Sequence, residues 1–117
     1  MREERFDIEG LICLHPKRYA DERGYFFEYF HQDNYTSLLG RKFLQDNVSL
    51  SRKGVLRGLH FQTPPFAQGK LVRVIKGSVL DVSVDIRKDS PTYGEHFAVE
   101  LSEENKKLFE ENPYLKF

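Results

Sequence analysis

Leu80-Asp81-Val82-Ser83-Val84-Asp85-Ile86 decides the fold class, because four aliphatic side chains alternate there with Asp, Ser and Asp. Successive side chains of a strand leave the backbone on opposite faces, so a period of two reads as a strand and not as a helix. The run predicts one dry face, carrying Leu80, Val82, Val84 and Ile86, and one acidic face. Working outward, strand-like segments near 6–13, 17–20, 25–30, 43–50, 54–61, 70–76, 78–87 and 92–101 are bounded by turn residues. Short strands at such intervals, with no long helical pattern, predict an all-β antiparallel sandwich or small barrel. Lys76-Gly77, between the apolar run 71–75 and the alternating strand, predicts a tight hairpin with Gly77 at positive φ. Gln32 to Leu39, followed by Gly40, predicts a short connecting helix. Ser102, with Glu103 and Glu104 behind it, predicts a second helical start that Asn112-Pro113 stops.

The chain has 117 residues, of which 39% are hydrophobic, 14% aromatic and 31% charged, enough to fill one core and too apolar for a disordered chain. A single domain over residues 1–117 follows, without repeats or linkers. Lys plus Arg and Asp plus Glu both number 18, so no net field gathers polyanions and nucleic acid is not an expected partner. Apolar runs are only a few residues long, far short of the roughly 20 that span a bilayer, which excludes a membrane helix. Cys13 is the single cysteine and no signal peptide is legible, so a cytoplasmic protein without an internal disulfide is expected.

The chemistry concentrates in Gly54-Val55-Leu56-Arg57-Gly58-Leu59-His60-Phe61-Gln62. Arg57 and His60, three apart, face opposite ways in a regular strand, but a bulge at Gly58 turns both toward one cavity. Metal sites on small sandwiches pair two histidines one residue apart, and here the second position is Gln62, so no metal cofactor is expected. His60 is then available for acid–base work near neutral pH. His15, His31 and His96 lack such neighbours and read as satisfied or solvent-facing residues. Lys70 opens an apolar strand after the stiff loop 63–69, and its ammonium either reaches an edge or points into a polar cavity.

Together with Asp21-Glu22-Arg23-Gly24-Tyr25-Phe26-Phe27-Glu28, Gln45-Asp46-Asn47, Gln68-Gly69-Lys70, Asp81-Val82-Ser83-Val84-Asp85-Ile86-Arg87 and Ser90-Pro91-Thr92-Tyr93-Gly94, this stretch resembles the dTDP-4-dehydrorhamnose 3,5-epimerase family. The motifs run in the family's order from Phe6 to about Leu108. The resemblance implies a cupin-like β jelly roll, usually dimeric, that epimerises dTDP-4-dehydro-6-deoxyglucose to dTDP-4-dehydrorhamnose for surface-polysaccharide synthesis without metal or organic cofactor. It implies His60 as general base at the carbon beside the 4-keto group and Lys70 as the cation beside the developing enolate oxygen. Arg57 matches an arginine on the nucleotide diphosphate. Arg23, Phe26, Glu28, Gln45 and Asn47 match positions that bind the nucleotide of the neighbouring subunit, across a homodimer to which the N-terminal segment crosses. Asp81 matches an acidic residue near the active-site histidines, while its bare sequence context reads equally as a strand residue facing a wet cavity.

Family members continue beyond the segment that resembles Leu101-Ser102-Glu103-Glu104-Asn105, through Pro-Gly and His-Gly-Phe motifs, a tyrosine acid and a late aspartate. The expectation is therefore a C-terminally shortened jelly roll holding the first half of the machinery. Tyr114 stands in no matching motif. Two further readings stay open: a catalytically impaired or inactive nucleotide-sugar-binding remnant of the family, and a regulatory ligand-binding cupin.

Overall fold

A computed structural model describes residues 1–111 and 115–116. It contains the strands β1 (Arg2–Arg5), β2 (Ile12–His15), β3 (Arg18–Asp21) and β4 (Gly24–Phe27), then the helix α1 (Gln32–Leu39). The strands β5 (Lys70–Val72), β6 (Ser78–Asp85), β7 (His96–Ser102), β8 (Leu108–Glu111) and β9 (Leu115–Lys116) follow. The order β1-β2-β8-β5 makes a four-stranded sheet, β7-β6-β9 a three-stranded one and β3-β4 a two-stranded hairpin, all antiparallel. Among the described residues no helix is long and apolar enough to cross a membrane.

The run Leu11-Ile12-Cys13-Leu14 is buried throughout and does not alternate, because both faces of β2 are covered. On one face Leu11 and Cys13 pack with Phe109 of β8 and with Val99 and Leu101 of β7, which closes the two sheets on each other. On the other face Ile12 and Leu14 meet Tyr35 and Leu39 of α1 together with Leu108. Phe6, Phe97 and Phe109 form a ring cluster at the inter-sheet core, with Phe6 and Phe97 centroids 4.1 Å apart. Such pairs add about 0.5–1.5 kcal/mol beyond the area they bury. The helix is the one expected: His31 Nδ1 accepts from the Asn34 amide, and Gly40 ends it with its N–H donating to the Thr36 carbonyl.

Four expectations are corrected. Segment 6–13 is mainly the turn between β1 and β2, and segments 43–50 and 54–61 form no strand; residues 41–69 connect α1 to β5 as turns and irregular chain. The run 70–76 ends as a strand at Val72, and β5 does not form a hairpin with β6. β5 pairs with β8 in the first sheet while β6 pairs with β7 and β9 in the second, so Gly77, at φ 85°, turns the chain between layers. Beyond Ser102 there is one turn and not a helix. Ser102 Oγ accepts from the Asn105 amide, Asn105 Oδ1 accepts from the Ser102 amide, and the chain then enters β8. That reciprocal pair satisfies the amides a helix would have used. Asn112-Pro113, the expected stop, and Tyr114 lie outside the described residues.

The fourth correction concerns β6 itself. Its aliphatic face is the outer one: Leu80 is 69% exposed, whereas Ser83 and Asp85 are fully buried. Asp81 pairs with Val99 and Ser83 with Phe97, so the Asp81, Ser83, Asp85 face looks into the space between the sheets. The inversion is possible because Asp85 is saturated with donors. Arg87 donates from Nε to Oδ1 and from Nη2 to Oδ2, both at 2.9 Å, and its amide donates to Oδ1 at 3.0 Å. The Ser90 and Thr92 hydroxyls each donate to Oδ2 at 2.6 Å. A buried carboxylate is tolerated only when paired and hydrogen-bonded in this way.

Arg87, followed by Ser90 and Thr92, holds the Asp85 carboxyl well below the usual carboxylate range against the opposing effect of burial. Its folded value lies below the unfolded value near 4, so its stabilisation is complete above about pH 5 and is lost as pH falls through that range. Asp85→Ala is expected to destabilise the chain by about 3–5 kcal/mol at neutral pH, leaving Arg87 without its partner. Urea unfolding at neutral and acid pH checks this: the gap between variant and parent should close in acid, and a pH-independent gap would refute the assignment.

Candidate active site

Two of the expected catalytic residues are placed by strand register. Val72 of β5 lies opposite Phe109 and packs into the inter-sheet core, and Lys70, two residues earlier, stands on the same face. Asp81 lies on the inward face of β6, beside Val99. Lys70 and Asp81 therefore stand on the faces that the two sheets turn toward each other, and both are partly buried. Lys70 thus stands on an edge strand of the first sheet, on the face turned toward the second. For Asp81 the structure selects the interior face, the side opposite to the one a simple hydrophobic alternation keeps dry.

His60 and Arg57 lie in the exposed connection 41–69. Gly58 between them has φ 110°, a conformation natural to glycine, so the chain does turn where a bulge is expected, but outside any strand. Arg57 Nε donates to Ser51 Oγ at 2.8 Å, and the Val55 amide donates to the Arg52 carbonyl, which ties this loop to itself. An open depression of about 510 Å³ between the β1–β2 turn and the start of β7 is lined by Arg5, Phe6, Asp7, Ile8, Glu95, His96 and Phe97, none of them an expected site residue.

The nucleotide-binding candidates divide between two places. Arg23 and Phe26 belong to the β3–β4 hairpin. There Arg23 Nη2 donates to Asp21 Oδ2 at 2.6 Å, while Phe26 is 71% exposed. Gln45 and Asn47 sit in the exposed connection, with Gln45 Nε2 donating to Asn47 Oδ1 at 3.4 Å.

Glu28 follows the hairpin and accepts from Asn34 Nδ2 at 3.4 Å, which anchors it to α1. Beside it the Tyr35 hydroxyl donates to the Tyr29 carbonyl, and the Arg73 guanidinium lies 3.6 Å from the centre of the Tyr29 ring. Sequence reading missed Arg73 and also Arg41, whose guanidinium lies against Gly69, immediately before Lys70. A Cβ at Gly69 would come within 2.5 Å of Arg41 Nη1. The bare glycine beside Lys70 was the available signal, since it marks a close approach of a neighbour to the backbone.

The sequence profile described as dTDP-4-dehydrorhamnose 3,5-epimerase matches residues 5–109. The dTDP-4-dehydrorhamnose 3,5-epimerase of Salmonella typhimurium is 56% identical over 102 residues, which cover 86% of this chain and 56% of the relative. A crystal structure of the enzyme from Sulfolobus tokodaii superposes with a TM-score of 0.91 at 43% identity, covering 98% of this chain and 65% of that one. The dTDP-6-deoxy-D-glucose-3,5-epimerase of Legionella pneumophila, crystallised with dTDP-4-keto-L-rhamnose, superposes with a TM-score of 0.88 at 47% identity, over 98% of this chain and 62% of that one. The chain thus spans a little over half the length of the curated relatives it matches. Its architecture is the cupin-like jelly roll that the family resemblance implies.

Burial first, and then the Glu28 charge, push the Tyr35 hydroxyl up to about 12. The raised value means that Tyr35 supports the fold fully below its unfolded value near 10 and that this support is lost as pH rises toward 12. A spectrophotometric titration should show a late tyrosinate step that Tyr35→Phe removes. Its absence from the parent chain would contradict the buried bond to Tyr29.

Proposed function

The chain belongs to the dTDP-4-dehydrorhamnose 3,5-epimerase family, and on that premise we propose that it binds a dTDP-4-keto-6-deoxy sugar and labilises the hydrogen beside the keto group. The overall reaction is epimerisation of dTDP-4-dehydro-6-deoxyglucose to dTDP-4-dehydrorhamnose, in dTDP-rhamnose synthesis for surface polysaccharide. The observation that carries this reading is the inward placement of Lys70 next to the inter-sheet core. A carbon acid beside a ketone ionises readily only if the enolate oxygen meets a preorganised positive charge, which is worth most where water is excluded.

In this mechanism His60 takes the proton from the sugar carbon, and the electron pair passes to the keto oxygen. The Lys70 ammonium stabilises that oxygen, and return of a proton to carbon completes the exchange. Asp81, on the inward face of β6, acts as a positioning residue from between the sheets. Arg57 holds the diphosphate through its planar fork of donors. Arg23, Phe26, Glu28, Gln45 and Asn47 contact the nucleotide of a second subunit. Support for that crossing comes from Phe26, 71% exposed on a hairpin outside both larger sheets. The working unit is then a single-domain homodimer, and the single buried thiol, Cys13, suits the reducing cytoplasm. A second reading, nucleotide-sugar binding without inversion, is favoured by the exposed position of His60.

NMR of the substrate in deuterated water separates the two readings. The first expects deuterium at the carbon next to the keto group, lost in His60→Ala, whereas binding without exchange supports the second. Exchange that survives His60→Ala removes the base assignment. Arg57→Ala should mainly weaken binding, by about 1.5–3 kcal/mol for a hydrogen bond to a charged group, and calorimetry measures it; an unchanged affinity would remove Arg57 from the diphosphate. Sedimentation at rising concentration should show a dimer that Phe26→Ala weakens, and a monomer throughout would count against the crossing.

A further inference from the structure

Glu4, Cys13 and His15 lie far in sequence from the residues given roles above, yet the β1–β2 pairing brings them to one place. Glu4 is the direct cross-strand partner of Cys13, and His15 is two residues along the same strand, so all three side chains share one face of the first sheet. His15 Nε2 and Glu4 Oε1 are 3.1 Å apart, and the Cys13 Sγ, the His15 ring nitrogen and the Glu4 carboxylate oxygen all lie within 4.8 Å of one another. From metal–nitrogen and metal–oxygen bonds of about 2.0–2.1 Å and metal–sulfur bonds of about 2.3 Å, the edges of a tetrahedral zinc site come to about 3.3–3.6 Å. The histidine–carboxylate pair already approximates one such edge. The remaining closure falls to side-chain rotation of all three residues, of which Glu4, 46% exposed, has the most room to move.

From this juxtaposition we propose that Glu4, Cys13 and His15 form a zinc-class metal site that staples β1 to β2, with its fourth position open to water. One thiolate, one imidazole and one carboxylate are the mixed donors that Zn²⁺ and Co²⁺ accept and that Mg²⁺ and Ca²⁺ do not. On binding, the thiol proton leaves to solvent and the sulfur takes the metal in its place. Burial pushes the Cys13 thiol up, Lys107 and Arg2 only partly opposing it, so the metal has to displace a proton that burial holds on the sulfur. The consequence is structural: β1 is an edge strand of its sheet, and a metal bridging it to the largely buried β2 holds that edge in register.

Cobalt(II) chloride titrated into the reduced 117-residue chain tests the site, because Cys13 is its single cysteine and any thiolate-to-cobalt charge-transfer band must come from it. The expected result is that band together with visible bands of tetrahedral intensity, saturating at equimolar metal and displaced by zinc. Glu4→Gln changes an exposed side chain and His15→Gln a partly buried one, so both variants should fold, and each should weaken cobalt binding by at least about tenfold. Zinc should raise the thermal midpoint of the parent chain and not that of Glu4→Gln. A missing thiolate band in excess cobalt overturns the proposal. So does a band whose affinity is unchanged in both variants, since the metal would then be held by the cysteine alone.

Discussion

The second sheet depends on one buried carboxylate. Asp85 has no exposed surface and is met by donors from Arg87, Ser90 and Thr92, while its backbone N–H donates to the Glu95 carbonyl and its own carbonyl accepts from Gly94. This network closes the β6–β7 connection and fixes which way β6 faces. Because side chains alternate, turning Asp85 inward turns Ser83 and Asp81 inward with it and sends Leu80 to the surface. The space between the sheets therefore receives a polar strip along one strand, beside the aromatic cluster that Phe97 of β7 forms with Phe6 and Phe109.

The first sheet works by a different constraint, burial of β2 on both faces. α1 covers Ile12 and Leu14, and β7 covers Leu11 and Cys13, so β2 cannot slip without exposing one of these surfaces. β8 inherits its register from β2, and β5 inherits its own from β8. The orientation of Lys70 is the end of that chain of pairings. An ammonium set beside the core in this way is suited to stabilising an oxyanion that forms there, which links the packing of β2 to the chemistry proposed for the family's substrate.

The connection 41–69 follows other rules. It carries His60 and Arg57, and its apolar side chains Leu44, Leu50, Leu56 and Phe66 are exposed, with backbone outside both sheets. Apolar residues bounded by turn residues recur here as they do in the true strands. A strand also needs a neighbour to take its hydrogen bonds, and none of the described strands pairs with this segment.

The sequence by itself determined the fold class, the family, the helix ended by Gly40 and the identity of the candidate site residues. These rest on local signals: a period of two, a helix stop and an ordered set of motifs. Only the tertiary structure decided which face of β6 is inside, that β5 and β6 belong to different sheets, and that Glu4 meets Cys13 and His15. Hydrophobic alternation predicts the wrong face of β6, because Asp85 lies inward with its partners supplied from Arg87 to Thr92, and alternation does not count hydrogen-bond donors. Pairing partners, likewise, are a property of the whole chain. A residue's neighbour across a sheet is chosen by the register that buries the most apolar surface and leaves the fewest polar groups unmet, and no window of sequence contains both strands.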